Sequence, residues 1–299
     1  MAVITIPKGT TDLSTVTVAN SDGVAFYDGN QTVTAGLTGW SAFAAGLVSL
    51  YIGPRFTGNI GGASGPLTVD VDSGAALAIN EAGGGNLYIR PGGVSSAITR
   101  FKHIGQGSTF FVGGGTVTNL EMGQMAKYVS VSENVLVTNF YQSTGSSFFQ
   151  WHASGANSGL RTIVVDGGVA QFERFLDANA NAEGGTNLVR ISGNARVIVK
   201  RENTSSASVT PPTATDGNNG STIHITGGTL EWWGGNMDNV IVEGDGVLDL
   251  SNAPGDVAIY TLNITAKAMS RSKLKTPNGT VSYGTTPVPR GGKTDSIIA

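Results

Sequence analysis

The segment Thr222-Ile-His-Ile-Thr-Gly-Gly-Thr-Leu-Glu-Trp232 decides the fold, because two alternating runs flank a Gly-Gly pair. In a β-strand every second side chain points to the same face, so Ile223 and Ile225 share one face and His224 takes the other. The turn between the runs needs a positive φ or a bulge, which glycine adopts without steric penalty. The segment therefore predicts strand, turn and strand with one apolar face.

The same pattern recurs along the chain. Seven further copies lie at residues 67–79, 86–94, 109–117, 128–137, 162–172, 188–199 and 240–250. Turn residues at positions 74, 93, 114, 134, 168, 193, 228 and 246 are separated by 19, 21, 20, 34, 25, 35 and 18 residues. Most of these steps are typical of one coil of a solenoid, and the two long steps indicate coils with loop insertions.

The repeat predicts an all-β fold, a right-handed parallel β-helix in which each coil stacks on the one before. Inward Val, Ile and Leu would then form aliphatic columns with a spacing of about 4.8 Å between coils. A β-sandwich of antiparallel hairpins is the alternative, because strand, Gly-Gly and strand is also a hairpin signature. The near-constant step favours the β-helix, since a Greek key does not require it.

The ends of the chain differ from the repeats, as a repeat array requires. Residues 1–60 are predicted to be an N-terminal cap or attachment segment, 61–265 the β-helix, and 266–299 a C-terminal strand with an extended basic arm. Within the first segment, residues 39–53 have the one apolar spacing that also suits a helix, but a cap or first coil is the preferred interpretation.

Composition excludes several classes of function. Glycine supplies 44 of the 299 residues and charged residues only 13%, while 39% apolar residues still suffice for a core. The chain has no cysteine, which excludes disulfides, thiolate metal sites, iron–sulfur clusters and cysteine nucleophiles. The three histidines form no HExxH motif, and no Gly-x-Ser-x-Gly elbow is present. We therefore expect no metal and no cofactor.

Charge and hydropathy patterning bear on location and partners. No basic segment followed by an apolar run opens the chain, and no 18-residue apolar run occurs, so we expect a soluble protein made without Sec export and without membrane contact. The net charge is −3, but residues 267–299 carry +5 and leave −8 on the rest. Such a basic end suits an acidic partner or solvation, and nucleic acid is not expected.

Carboxylates are the candidates for enzymatic chemistry, because β-helix glycosidases and lyases use Asp and Glu on adjacent coils. Asp70 and Asp72 alternate with valines on one strand, and Glu243, Asp245 and Asp249 form a second set. No Arg or Lys lies close to either set in sequence, and outward acids on strands usually serve solubility. The prediction is therefore a non-enzyme, with Asp70, Asp72, Glu243 and Asp245 as the catalytic residues if it were one.

Aromatic residues occur in adjacent pairs, at 110–111, 140–141, 148–149 and 232–233. Neighbours on a strand face opposite ways, so one ring of each pair can lie outside the core and mark a protein interface or a sugar-stacking platform. Burial under loops or caps is the equally weighted alternative. The candidate binding residues come from these pairs, from Trp151 beside the pair at 148–149, and from the two ends. They are Trp40, Tyr51, Phe110, Phe148, Trp151, Trp232, Lys273, Lys275 and Arg290.

Four features of the sequence belong together. They are residues 49–58 (Ser-Leu-Tyr-Ile-Gly-Pro-Arg-Phe-Thr-Gly), residues 66–72 (Pro-Leu-Thr-Val-Asp-Val-Asp), the repeats from 67 to 250, and residues 229–236 (Thr-Leu-Glu-Trp-Trp-Gly-Gly-Asn). In these features the chain resembles bacteriophage virion β-helix proteins, in particular Gly-rich head decoration (cement) proteins.

The resemblance implies a non-enzymatic homotrimer that binds the major capsid protein on the outer surface of the phage head, after synthesis in the host cytoplasm. Phage tail spikes or fibres share the fold and often bind or cleave host surface polysaccharide. A tail spike is therefore the alternative function.

Overall fold

The structure, a computed structural model, describes backbone and side chains for part of the chain and the backbone alone for further strands. Side chains are described for 100–111, 116–123, 126–132, 135–150, 162–173, 188–200, 222–233, 237, 239–253, 257 and 259–264. The chain divides into two compact units, residues 1–148 and 149–299. Every regular element in the described residues of both units is a β-strand.

The first unit contains eleven complete strands and the start of a twelfth. They are β1 Val3–Thr5, β2 Asp22–Phe26, β3 Leu47–Ile52, β4 Thr68–Asp70, β5 Leu77–Glu81, β6 Asn86–Arg90, β7 Ala97–His103, β8 Ser108–Phe111, β9 Gly115–Met122, β10 Tyr128–Val131, β11 Val135–Gln142 and β12 Ser146–Phe149. Strands β1, β2, β3, β5, β7, β9 and β11 follow one another in a first sheet, and β4, β6, β8, β10 and β12 in a second.

The strands of the second unit also alternate between two sheets. Its strands are β13 Thr162–Val165, β14 Val169–Phe172, β15 Leu188–Ile191, β16 Arg196–Val199, β17 Thr222–Ile225, β18 Thr229–Trp232, β19 Gly235–Glu243, β20 Val247–Asp249, β21 Val257–Thr265, β22 Lys273–Lys275, β23 Val281–Tyr283 and β24 Ile297–Ile298. Within this unit the odd-numbered strands pair in a first sheet and the even-numbered strands in a second.

Neighbouring strands pair in parallel in both units, so each unit is a parallel β-helix. Ser108 pairs with Tyr128, a step of 20 residues, whereas Leu188 pairs with Thr222, a step of 34 residues. The parallel β-helix prediction is confirmed. The β-sandwich alternative is wrong, because consecutive strands along the chain go to different sheets instead of forming antiparallel hairpins.

Apolar side chains form the predicted columns between coils. In the first sheet of the second unit, Ile163, Val189, Ile223, Val240 and Leu262 occupy one continuous register row. All five are at most 6% exposed. The column stabilises the unit because each side chain removes apolar surface from water, with about 1.5–3 kcal/mol for each fully buried aliphatic residue.

Glycine turns hold neighbouring coils close together. Gly168, Gly193 and Gly228, all predicted as turn residues, have φ values of 76°, 61° and 70°. A Cβ on Gly228 would lie 2.3 Å from the carbonyl oxygen of Ala195 on the preceding coil. In the last turn the prediction of Gly246 needs correction, because the positive φ of 59° belongs to Gly244.

The long strands of the first sheet contain a feature that strict alternation did not predict. In β11 both Thr138 and Asn139 lie outside the core, while Val137 and Phe140 are buried. β9 has the same arrangement around Asn119. Each of these two strands therefore contains two segments of alternating inward and outward residues. Two consecutive outward residues separate the segments and shift the alternation by one residue.

Parallel pairing extends on both sides of the predicted 61–265 region. β3 lies within the stretch whose apolar spacing also suited a helix, and it pairs with both β2 and β5. The first-coil interpretation of residues 47–52 therefore agrees with the structure, and the helical one is wrong there. At the other end, β22 pairs with β20 and with β24.

Candidate functional site

Two carboxylates lie side by side on neighbouring coils of the second unit. Glu231 on β18 and Asp249 on β20 are register partners in the second sheet. Leu230 and Leu248 point into the core, so the strand alternation places both acids on the outer face. Even there, Glu231 is only 7% and Asp249 only 6% exposed. We call this pair, together with Arg196, the carboxylate site.

Arg196 joins the carboxylate site from the preceding coil. Its Nε donates a hydrogen bond of 2.6 Å to Oε1 of Glu231, and the guanidinium side chain is 54% exposed. This hydrogen bond raises the pKa of Arg196 above its ordinary value. The negative charges of Glu231 and Asp249 also raise this pKa, whereas partial burial of the guanidinium lowers it. The arginine therefore stays cationic and neutralises part of the acidic charge.

The turn that follows β20 supplies further hydrogen-bond donors to both acids. Asn252 Nδ2 donates to Oε2 of Glu231 at 3.4 Å. The backbone amide of Ser251 donates to Oδ1 of Asp249 at 3.0 Å, and the Ser251 hydroxyl donates to the same oxygen. The hydrogen bond from Asn252 to Glu231 connects consecutive coils, whereas the hydrogen bonds from Ser251 fix Asp249 within its own turn.

The carboxylate site was not predicted from the sequence. No Arg or Lys lies close in sequence to the predicted acids, but the fold brings Arg196 to Glu231, an acid outside the predicted sets, across 35 residues. The proposed set of Glu243, Asp245 and Asp249 also needs correction. Glu243 ends β19 in the first sheet, whereas Asp249 lies on β20 in the second.

Glu243 has a partner of its own on the neighbouring coil. Its Oε2 lies 3.1 Å from Nε2 of His224, whose outward position on β17 agrees with the sequence analysis. Asp245 is exposed in the turn that follows β19. Asp70 is described by its backbone alone, at the end of β4, and Asp72 lies outside the described residues.

The described aromatic pairs each place one ring in the core and one towards the outside. Phe111, Phe149 and Trp232 are buried, while Phe110, Phe148 and Trp233 are half-buried. Tyr141, at 38%, is the large apolar side chain with substantial exposure in the described part. The placement of Trp232 as a surface residue is wrong, since alternation from Leu230 turns it inward, where it is 3% exposed.

The side chains of the other predicted binding residues lie outside the described part of the structure. Tyr51, Lys273 and Lys275 lie on described strands, at β3 and β22, and are known by their backbone alone. Three more residues lie outside the described part, namely Trp40, Trp151 and Arg290.

Neither a metal-ligand cluster nor a membrane-spanning helix occurs in the residues that the structure describes. That part of the chain contains no cluster of three or more His, Asp or Glu side chains able to hold a metal ion. It also contains no helix long and apolar enough to span a membrane.

Comparisons with known proteins add no relative. No protein family, no curated protein and no solved structure matches this chain. The parallel β-helix is therefore the class that the fold defines.

Proposed function

We propose that this chain is a non-enzymatic structural protein of a bacteriophage virion, a decoration protein that binds the outer surface of the head. One observation carries the proposal. The buried Glu231 of the carboxylate site holds neighbouring coils together through Arg196 and Asn252. This contact stiffens the β-helix, because separating Arg196 from Glu231 would leave the buried carboxylate without its charge partner.

Outer charges elsewhere are engaged in the same way. Arg100 on β7 makes a bidentate pair with Glu121 on β9, at 2.8 and 2.7 Å. Lys200 binds Glu173 across coils at 3.1 Å. Cross-coil contacts of this kind favour a rigid scaffold. The proposed partners are the major capsid protein on the capsid surface and other copies of the chain, and they follow from the resemblance to decoration proteins.

Counting copies of the chain in purified virions tests this proposal. We expect hundreds of copies per particle by quantitative mass spectrometry against the major capsid protein, because decoration follows the capsid lattice. A few to a few tens of copies would contradict a head location and indicate the tail. Shortening of host polysaccharide by the purified chain, abolished by Asp70→Asn or Glu243→Gln, would contradict the non-enzymatic assignment.

A further inference from the structure

The described side chains of the carboxylate site do not balance in charge. Two acids, Glu231 and Asp249, face a single guanidinium, and Arg196 donates its hydrogen bond to Glu231. Both acids are buried although they lie on the outer face of the sheet. Because a buried charge without a partner is costly, a second cation beside Asp249 would stabilise the site.

The hydrogen bonds to Asp249 do not remove its charge. The amide of Ser251 donates to Oδ1 of Asp249 at 3.0 Å, and the Ser251 hydroxyl donates to the same oxygen. These donors favour the ionised form of the carboxylate. Both of them are neutral, so one negative charge of the site remains to be balanced.

The other lysine and arginine side chains described in the second unit have different positions. Arg190 lies on β15 in the first sheet. Lys200 directly follows β16 and is paired with Glu173 at 3.1 Å. The cation beside Asp249 therefore comes either from a residue whose side chain lies outside the described part or from a bound ion.

The register of the second sheet places a lysine next to Asp249. β22 pairs in parallel with β20, and Lys275 is the register partner of Asp249. Glu231 is the register partner of Asp249 on β18, so Glu231, Asp249 and Lys275 occupy consecutive positions of one row. Adjacent strands are about 4.8 Å apart, and opposite charges at such neighbouring positions attract.

Lys273 lies on the same strand but next to an apolar residue. Its register partner is Val247. Two residues along the strand separate it from Lys275, so its Cα lies about 8 Å from that of Asp249, against about 4.8 Å for Lys275. The two lysines share residue type and strand, and they differ in their distance from the carboxylate.

From this placement we infer that Lys275 supplies the second cation of the carboxylate site and thereby fastens β22 to β20. β24 pairs with β22 in turn, so the same contact holds the last two strands of the second sheet. This role replaces the partner-binding role predicted for Lys275 and leaves the prediction for Lys273 unchanged. It does not depend on the proposed function.

Hydrogen–deuterium exchange of the full chain, followed by mass spectrometry of peptides that contain residues 273–275, tests the inference. We expect Lys275→Met to raise the exchange rate of these peptides about tenfold, because the buried acid loses its charge partner and β22 opens more often. Lys273→Met is the matched control, and its exchange rate should change by less than about twofold.

A double variant, Asp249→Asn with Lys275→Met, tests whether the carboxylate charge is the cause. It leaves Glu231 and Arg196 as a balanced pair, and asparagine keeps an oxygen that accepts from Ser251. We therefore expect exchange at nearly the wild-type rate. Circular dichroism confirms folding, and the double variant keeps the test decisive if Lys275→Met alone does not fold.

Equal exchange in Lys275→Met and Lys273→Met would overturn the inference. So would a double variant that does not fold or that exchanges as fast as Lys275→Met. Slower exchange of the wild type on addition of millimolar Ca²⁺ would overturn it too, because a bound ion would then supply the missing charge. These measurements need no virion, so their failure is distinguishable from failure of the proposed capsid role.

Discussion

Replacing Gly228 with alanine is expected to lower the free energy of unfolding by about 3–5 kcal/mol. Two costs combine at this turn. A φ of 70° is unfavourable for any residue with a Cβ, and that Cβ would lie 2.3 Å from the carbonyl oxygen of Ala195, a backbone atom of the neighbouring coil. Either the turn or the coil contact must shift. Urea denaturation followed by circular dichroism measures the loss.

Asn194→Ala is the matched control for Gly228→Ala. Asn194 is exposed in the turn of the coil that Gly228 contacts, and alanine there meets no backbone obstacle. We expect a change within about 0.5 kcal/mol. A Gly228→Ala protein as stable as Asn194→Ala would show that the two coils do not approach each other at this turn.

Truncating Trp232 to alanine is expected to cost about 3–5 kcal/mol of unfolding free energy, because the indole is 3% exposed and leaves a cavity in the core of the second unit. Trp232 shares its column with Val199 on the preceding coil, whose packing is lost with it. Thermal and urea unfolding of the purified variant measure the effect.

Trp233→Ala provides a comparison one residue further along the chain. Trp233 is half-buried, and its ring lies under the Lys200 ammonium, 5.3 Å from the centroid. Loss of this exposed cation–π contact is expected to cost about 1 kcal/mol. If Trp233→Ala were the more destabilising of the two, the inward and outward assignment of β18 would be reversed.

The fold was predictable because its determinants are local. Alternation around Ile223 and Ile225 sets the inward face, and glycines at 168, 193 and 228 mark turns that need positive φ. Both signals are contained within about ten residues and recur at coil spacing. The slip at Thr138 and Asn139 was not predictable, since two adjacent polar residues also mark the end of a strand.

The carboxylate site was not predictable because it depends on register between distant segments. Arg196 reaches Glu231 only after a coil step that includes residues 201–221, and insertion length gives no information about pairing. The aromatic pairs show the same limit. Two adjacent aromatic residues on a strand indicate that one ring faces outward. Which of Trp232 and Trp233 does so depends on the strand alternation, in which the inward Leu230 makes Trp232 inward too.

In-register stacking of coils is the basis of the rigid scaffold, and an engineered disulfide tests it most directly. Asn119 and Asn139 are register partners on β9 and β11, with side chains hydrogen-bonded at 3.0 Å. Neighbouring strands at about 4.8 Å fall within the Cα range of a disulfide. The chain has no cysteine of its own, so the introduced pair has no competitor.

The double variant Asn119→Cys, Asn139→Cys is predicted to form an intramolecular disulfide on mild oxidation. A thiol assay should then show loss of free thiol, while a non-reducing gel should still show the monomer band. The control variant combines Asn119→Cys with Lys127→Cys, and Lys127 immediately precedes β10 of the second sheet. Both thiols of this variant should stay free. Persistent free thiols in the first variant, or equal oxidation in the second, would contradict parallel coils stacked in this register.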